Sequence, residues 1–317
     1  MKSWRFHKYG AFDSLRIDNI PIPKPSSEDC LVRIEYAALN PADRLLIMGW
    51  YPTSAQPPFS VGRDGSGIVV AAPKNGRFSE GDRVVCLRSI IGIERDGTLA
   101  DYVSVPEAHL AIRPQWWDAR DGAAGPHALL TTWQALSEVS SLEAGEKVII
   151  TGASGGIGTA ALILAKAMGA AVISLSRSAA KREKLITLGA DAAFDPGDKE
   201  LISKIKACGG ADVVIENVCG DLLNPLLQAC NPYGRVCIIG ALGGIKATID
   251  PTRLIFNRLQ LHGIQVARYS DTAVGRAWAD IIRLLEPIRA KIPIDSVFPF
   301  DQVPQAFERL RRGPFGK

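Results

Sequence analysis

Apolar runs of strand length recur at near-regular intervals through the second half of the chain. They begin near Lys147, Ala171, Asp191, Asp212, Arg235 and Gln260. Helical patterns fill most of the gaps, over Ile157–Met168, Ala179–Leu188, Lys199–Ala207 and Asp221–Ala229. Strand alternating with helix at this rhythm predicts βαβ units and a parallel sheet. Several runs are continuously apolar, such as Val148–Ile150 and Val236–Ile239, as expected for strands covered on both faces. Six such strands complete a doubly wound sheet. Before Pro114 the pattern differs. Short β-branched segments (Cys30–Leu39, Ser66–Ala72, Asp82–Leu87, Leu99–Val105) are punctuated by Pro41, Pro52, Pro57, Pro58, Pro73 and Pro106. That predicts a mostly β unit, closing into a partial barrel. A long helix over Thr272–Glu286 and another over Val303–Arg311 end the pattern.

The sharpest local signal is the stretch Lys147–Gly158, KVIITGASGGIG, in which an apolar strand runs into a glycine turn that opens a helix. A diphosphate must approach backbone N–H groups at a helix N-terminus, and a Cβ there would block it. Ser154, Gly155, Gly156 and Ile157 form the turn, and Gly158 permits helix to pack on strand. The same residues satisfy T-G-x-x-x-G-x-G of short-chain dehydrogenases. Their chemistry also needs Y-x-x-x-K, and no tyrosine here has Lys at that spacing. The second strand ends at Ser176 rather than at an acid, with Arg177 next and Lys181 soon after. A hydroxyl and two cations suit a ribose 2′-phosphate, where a carboxylate would repel it. The expected cofactor is therefore NADPH (NADP+) rather than NADH, with a solvated helix start as the bland reading of the same cations. Asn217, Ala241 and Leu242 stand at C-terminal strand ends, where open α/β sheets bind ligands.

Composition narrows the function classes. The 317 residues suggest two domains; 47% are hydrophobic and 22% charged, as in a globular chain. The net charge of +4 is spread along the length, with no basic stripe, which argues against nucleic acid. No apolar run reaches a membrane span and the start has no apolar signal core, so a cytoplasmic protein off the membrane is expected. The six cysteines form no C-x-x-C pair and read as buried reduced thiols. The four histidines are scattered, so no metal is expected.

The chain resembles the medium-chain dehydrogenase/reductase superfamily, in its zinc-free quinone oxidoreductase-like branch. The markers run in order: Ala38–Asp43 (ALNPAD), Gly62–Gly67 (GRDGSG), Gly81–Val84 (GDRV), Gly97–Val103 (GTLADYV), Leu130–Leu136 (LTTWQAL), Ala153–Gly158 (ASGGIG) and Leu188–Ala190 (LGA). The resemblance implies an α/β fold, a Rossmann doubly wound parallel sheet plus a GroES-like mostly β substrate domain. Residues 1–120 would be the first part of the substrate domain, 121–266 the Rossmann domain and 267–317 the return to the substrate domain. Zinc-dependent relatives place metal ligands where this chain has Asn40 and Arg63. A guanidinium has no lone pair to give, and the structural-zinc cysteine quartet is absent around Cys86–Gly97, so no zinc is expected.

The resemblance also implies hydride transfer to an already electrophilic small molecule, a quinone or enone. Asn40, Asp43, Tyr51 and Arg63 would form the acceptor site, the Tyr51 phenol placed to donate a proton or hydrogen bond, with Asn40 also bordering the nicotinamide and Thr131, beside Thr132, behind it. The same residues would serve to cap a helix (Asn40, Asp43), pack a loop (Trp50, Tyr51) or pair with a neighbour (Arg63, Asp64). Many relatives carry a Tyr near the 2′-phosphate where this chain has Pro196, and many run past the equivalent of Gly313–Lys317 into one more strand. Gln260–Val266, the last strand of the sheet, is expected to join a second copy edge to edge, its Leu259, Leu261, Ile264 and Val266 making the edge apolar. Two other functions stay open: an enoyl or alkenal double-bond reductase on the same scaffold, and a non-catalytic NADPH-sensing regulator.

Overall fold

The computed structural model describes residues 1–87 and 90–317; Arg88 and Ser89, inside the Cys86–Gly97 stretch read above for its missing cysteines, lie outside the described residues. In chain order the first unit carries β1 (Lys2–Phe6), β2 (Leu15–Asn19), β3 (Asp29–Ala38), α1 (Pro41–Ile47), β4 (Phe59–Ser60), β5 (Asp64–Ala71), β6 (Arg83–Cys86), β7 (Tyr102–Pro106) and β8 (Leu110–Ile112). Its strands form two antiparallel sheets, in the orders β2-β1-β4 and β7-β3-β5-β6-β8. Then α2 (Ala119–Ala124) and α3 (Pro126–Trp133) lead into the second unit.

That unit alternates β9 (Lys147–Ile150), α4 (Gly156–Ala167), β10 (Ala171–Leu175), α5 (Ala179–Thr187), β11 (Ala192–Phe194), α6 (Leu201–Ala207), β12 (Ala211–Glu216), α7 (Leu223–Ala229), β13 (Cys230–Ile238), α8 (Pro251–Asn257) and β14 (Gln260–Gly263). All five strand pairings are parallel, in the order β11-β10-β9-β12-β13-β14. The expected doubly wound sheet and mostly β unit are both present. The order reverses beside β9, which opens a crevice at its C-terminal end. The period of two along β9 sets the layers. Val148 and Ile150 pack on one face, with α3, α4 and α9 (Asp271–Leu285). Ile149 packs on the other, with α6 and α7.

The segment after 267 serves both units. Val274, Ala277, Trp278 and Ile281 of α9 belong to the core of the parallel sheet. Val303 and Phe307 of α10 (Val303–Arg311) close the core built on β1 and α1, beside Trp4, Phe6 and Leu46.

The last strand ends at Gly263, earlier than the pattern suggested. Val266 already lies in a tight turn, and Leu259, Leu261, Ile264 and Val266 pack into the chain's own cores rather than making the edge apolar. Sheet geometry is the reason, since strand side chains point to the faces and not along the edge. Five of the six cysteines are buried, Cys208 is exposed, and all are free. Burial pushes the thiols of Cys30, Cys86, Cys230 and Cys237 up to about 12, which keeps them protonated and inert. No helix among the described residues is long and apolar enough to cross a membrane.

Candidate functional site

The glycine turn stands at the reversal point of the sheet. Gly155 is the N-cap of α4 in an extended conformation, and the first N–H groups of that helix face the crevice end of β9. Gly158 is there for packing, because a Cβ on it would lie 2.5 Å from the Ala153 backbone. A second chain segment crosses this turn. Gly316 pairs with Gly155, its N–H donating to the Ser154 carbonyl at 2.9 Å. Gly316 has φ +88°, and a Cβ there would strike the Pro293 backbone, so only glycine fits the crossing. The alkyl chain of Lys317 then lies along Gly156.

That crossing delivers the Lys317 ammonium into a buried polar cluster from the first unit. Its Nζ donates to Asn40 Oδ1 at 2.5 Å and to Asp64 Oδ2 at 2.9 Å. Asn40 Nδ2 donates to the same Asp64 oxygen at 2.9 Å, and the His127 backbone N–H to Asp64 Oδ1 at 3.1 Å. Asp64 is fully buried and the Lys317 side chain only 7% exposed. Asn40 precedes α1, and its own N–H is capped by Asp43 at 2.8 Å. The Asn40 amide is thereby turned outward to the cluster.

Next to it, Arg63 Nε lies 3.3 Å from Asp43 Oδ1, both groups buried. The guanidinium stacks 4.1 Å from the Tyr51 ring centre. Burial raises the Asp43 carboxyl above its ordinary value, against the pull of Arg63. The His127 imidazole is pushed down to about 4, chiefly by burial, with Asp64 opposing and Lys317 and Arg63 reinforcing the shift. It is therefore neutral near pH 7.

The structure brings Asn40, Asp43, Tyr51 and Arg63 into one neighbourhood. Thr131 and Thr132 are buried on α3, their hydroxyls donating to the carbonyls of His127 and Ala128, each at 2.7 Å. Asn217 is buried beside the turn, with its amide on the Thr151 carbonyl at 2.8 Å. Ala241 and Leu242 lie exposed in the loop after β13.

At the end of β10, Ser176 is buried and Arg177 exposed. Lys181 turns from them: its ammonium donates to the Gly313 carbonyl at 2.6 Å and to Pro314 at 3.2 Å. Arg182, which the sequence did not single out, holds the Ser176 carbonyl at 2.8 Å and pairs with Asp195. His127 and Lys317 were also missed. His127 carried a usable signal, since it stands one helical turn before Thr131 on the same face. Lys317 carried none, because its place depends on where the crossing segment lies.

The residues fit a dinucleotide diphosphate at the turn, where Gly155 leaves the start of α4 uncrowded. They do not fit a zinc ion at positions 40 and 63. The Asn40 amide is committed to Asp64 and Lys317, and Arg63 offers no lone pair. Two cations already occupy the neighbourhood that a zinc ion would share. Among the described residues, no group of three or more His, Cys, Asp and Glu could hold a metal.

Two families match the chain: "Alcohol dehydrogenase GroES-like domain" over 26–115 and "Zinc-binding dehydrogenase" over 156–286. The chain is 28% identical over 327 residues to quinone oxidoreductase of Rattus norvegicus, covering 100% of this chain and 96% of that one. A solved Sinorhizobium meliloti 1021 protein assigned to the alcohol dehydrogenases is 30% identical, with a TM-score of 0.91 over 99% of this chain and 96% of that one. The quinone oxidoreductase of Thermus thermophilus, solved also in complex with NADPH, is 29% identical, with a TM-score of 0.84 over 100% and 98%.

Proposed function

The chain belongs to the medium-chain dehydrogenase/reductase superfamily, in its quinone oxidoreductase-like branch, and on that premise we propose that it is an NADPH-dependent, zinc-independent reductase of a quinone or similar electrophilic acceptor. That it is an oxidoreductase follows from the membership. The observation that carries the finer reading is the junction at Gly156 and Lys317. It sets a buried polar cluster one side chain away from the diphosphate turn. The NADPH complex of the Thermus thermophilus enzyme supports the cofactor, as do Ser176 and Arg177 in place of an acid.

When bound, the dihydronicotinamide supplies a hydride. The chain's own residues do the rest. The turn 154–157 holds the diphosphate through backbone N–H groups, with Asn217, Ala241 and Leu242 lining the crevice. Thr131 backs the nicotinamide, and Asn40 borders it. Asp43 holds Asn40 and Arg63 in place, while Tyr51 and Arg63 wall the acceptor pocket. With no strong Lewis acid, positioning and hydrogen-bond donation carry the rate. That favours an acceptor already electrophilic over a simple alcohol or ketone. Two copies associate through β14, and the acceptor is a small molecule met in the cytoplasm.

The deciding experiment is NADPH oxidation with a panel of quinones and enones, with and without a zinc chelator. Turnover with quinones, indifferent to the chelator, is expected. Preference for enones makes it a double-bond reductase. Tight NADPH binding without turnover of any acceptor makes it a sensor. Stoichiometric zinc with activity lost on chelation ends the zinc-independent reading.

A further inference from the structure

We propose that the Lys317 ammonium, seated on Asp64 and Asn40, holds the acceptor's carbonyl oxygen and gives it a proton; this rests on the reductase reading above. An ammonium has three N–H groups. Among the described residues, two acceptors meet them, Asn40 Oδ1 and Asp64 Oδ2. The third is available to a ligand.

The backbone around Lys317 is fixed on both sides. Its N–H donates to the Pro293 carbonyl at 2.9 Å, and its own carbonyl accepts from Asp295 N–H at 2.6 Å. The alkyl chain passes along Gly156 at the N-terminus of α4, so the ammonium stands just beyond the diphosphate turn, on the side of the first unit. Two nearby groups are unsuited to the task. Arg63 is engaged with Asp43 and the Tyr51 ring, and the His127 imidazole is neutral. The formal side-chain charges of Asp43, Arg63, Asp64 and Lys317 sum to zero. Such a site takes an uncharged acceptor and is prepared for the negative charge that hydride addition creates.

The step balances as follows. The acceptor gains a hydride, with both electrons of the dihydronicotinamide C4–H bond, at its electrophilic atom. The displaced π pair collects on the carbonyl oxygen. One Nζ–H bond of Lys317 breaks, nitrogen keeping the pair, and the proton passes to that oxygen. The neutral amine regains a proton from water before the next turnover. Asp64 acts as the positioning residue, since it holds the ammonium and stabilises its charge.

The test compares Lys317→Met and Lys317→Arg with the wild type in three measurements. They are kcat with the panel's best acceptor, the NADPH Kd by fluorescence, and binding of para-nitrophenolate, a stable oxyanion probe, by absorbance. Lys317→Met should lower kcat by about 100-fold or more and abolish phenolate binding, with the NADPH Kd little changed. Lys317→Arg keeps a cation that does not release its proton, so it should keep phenolate binding and still lose turnover. Wild-type turnover and phenolate affinity in Lys317→Met overturn the proposal. So does a loss confined to NADPH affinity, which would put the ammonium on the cofactor's phosphates. If Lys317→Met does not fold, the Arg variant decides alone, and wild-type kcat in it refutes the proton step. If the wild type reduces no acceptor, the reductase reading fails, and the phenolate comparison still decides what Lys317 holds.

Discussion

Arg177 and Lys181 look alike in sequence as partners for a 2′-phosphate, yet their environments differ. Arg177 is exposed at the end of β10, whereas the Lys181 ammonium is bonded to the carbonyls of Gly313 and Pro314. A charge-assisted contact is worth about 1.5–3 kcal/mol, or roughly 10- to 150-fold in affinity. Arg177→Ala should therefore raise the KM for NADPH by that factor and leave NADH nearly unchanged. The phosphate is remote from the hydride, so kcat should hold. Equal loss of both cofactors would make Arg177 a folding determinant. His127 gives a second test. Its imidazole sits at about 4 in the folded chain, against an ordinary 6.5, because burial disfavours the cation. Between those values the unfolded chain binds the extra proton, so stability is fully present above about pH 6.5 and falls as the pH drops toward 4. His127→Gln should flatten the fall of Tm between about pH 6.5 and 5. An unchanged slope would show that the ring is more solvated than its surroundings suggest.

At the scale of the element, the strand–turn–helix of β9 and α4 was legible because three independent features agree: an apolar run, glycines at a turn, and helical spacing after it. Two glycines of the turn do different work, and the difference is measurable. At Gly155 a Cβ would meet only the Gly152 carbonyl oxygen at 3.6 Å, and φ is −85°, so alanine is accommodated. Gly155→Ala should keep the wild-type Tm and weaken NADPH binding, the methyl group standing where the diphosphate approaches. Gly158→Ala should lower stability by about 1–3 kcal/mol, because the methyl group would collide with backbone that cannot yield. Thermal melting and cofactor titration of the pair check both halves. The limit of element-level reading appears at β14. Its apolar residues signal a strand correctly, yet they do not reveal which surface they face. Leu261 packs with one core, and Ile264, just past the strand's end, with the other.

For the whole molecule, four of the exposed large hydrophobic side chains lie in the segment that leads into that strand. Leu242 is 70% exposed, Ile245 92%, Ile255 67% and Phe256 83%, and β14 pairs with β13 on one side only. A second copy would cover both the apolar residues and the strand's open hydrogen-bonding groups. Light scattering at micromolar concentration should give twice the chain mass, and Phe256→Glu should shift the balance toward the single chain. A monomeric mass for the wild type would count decisively against association through this edge.

The order of strands and helices in the second unit, the glycine turn and the lack of a lone pair at position 63 were all determined by the sequence alone. Each is local: periodicity, backbone freedom and the presence or absence of a lone pair are properties of a residue and its near neighbours in the chain. The division of the last segment, with α9 on the parallel sheet and α10 on β1, was decided only by tertiary packing. So was the polar cluster itself. Asn40 and Asp64 are 24 positions apart, and Lys317 stands 253 beyond Asp64. Their meeting depends on Gly316 fitting against Pro293 and pairing with Gly155. No pattern along the chain encodes that contact, because a buried ion pair is selected by the geometry of the space that encloses it rather than by spacing in sequence.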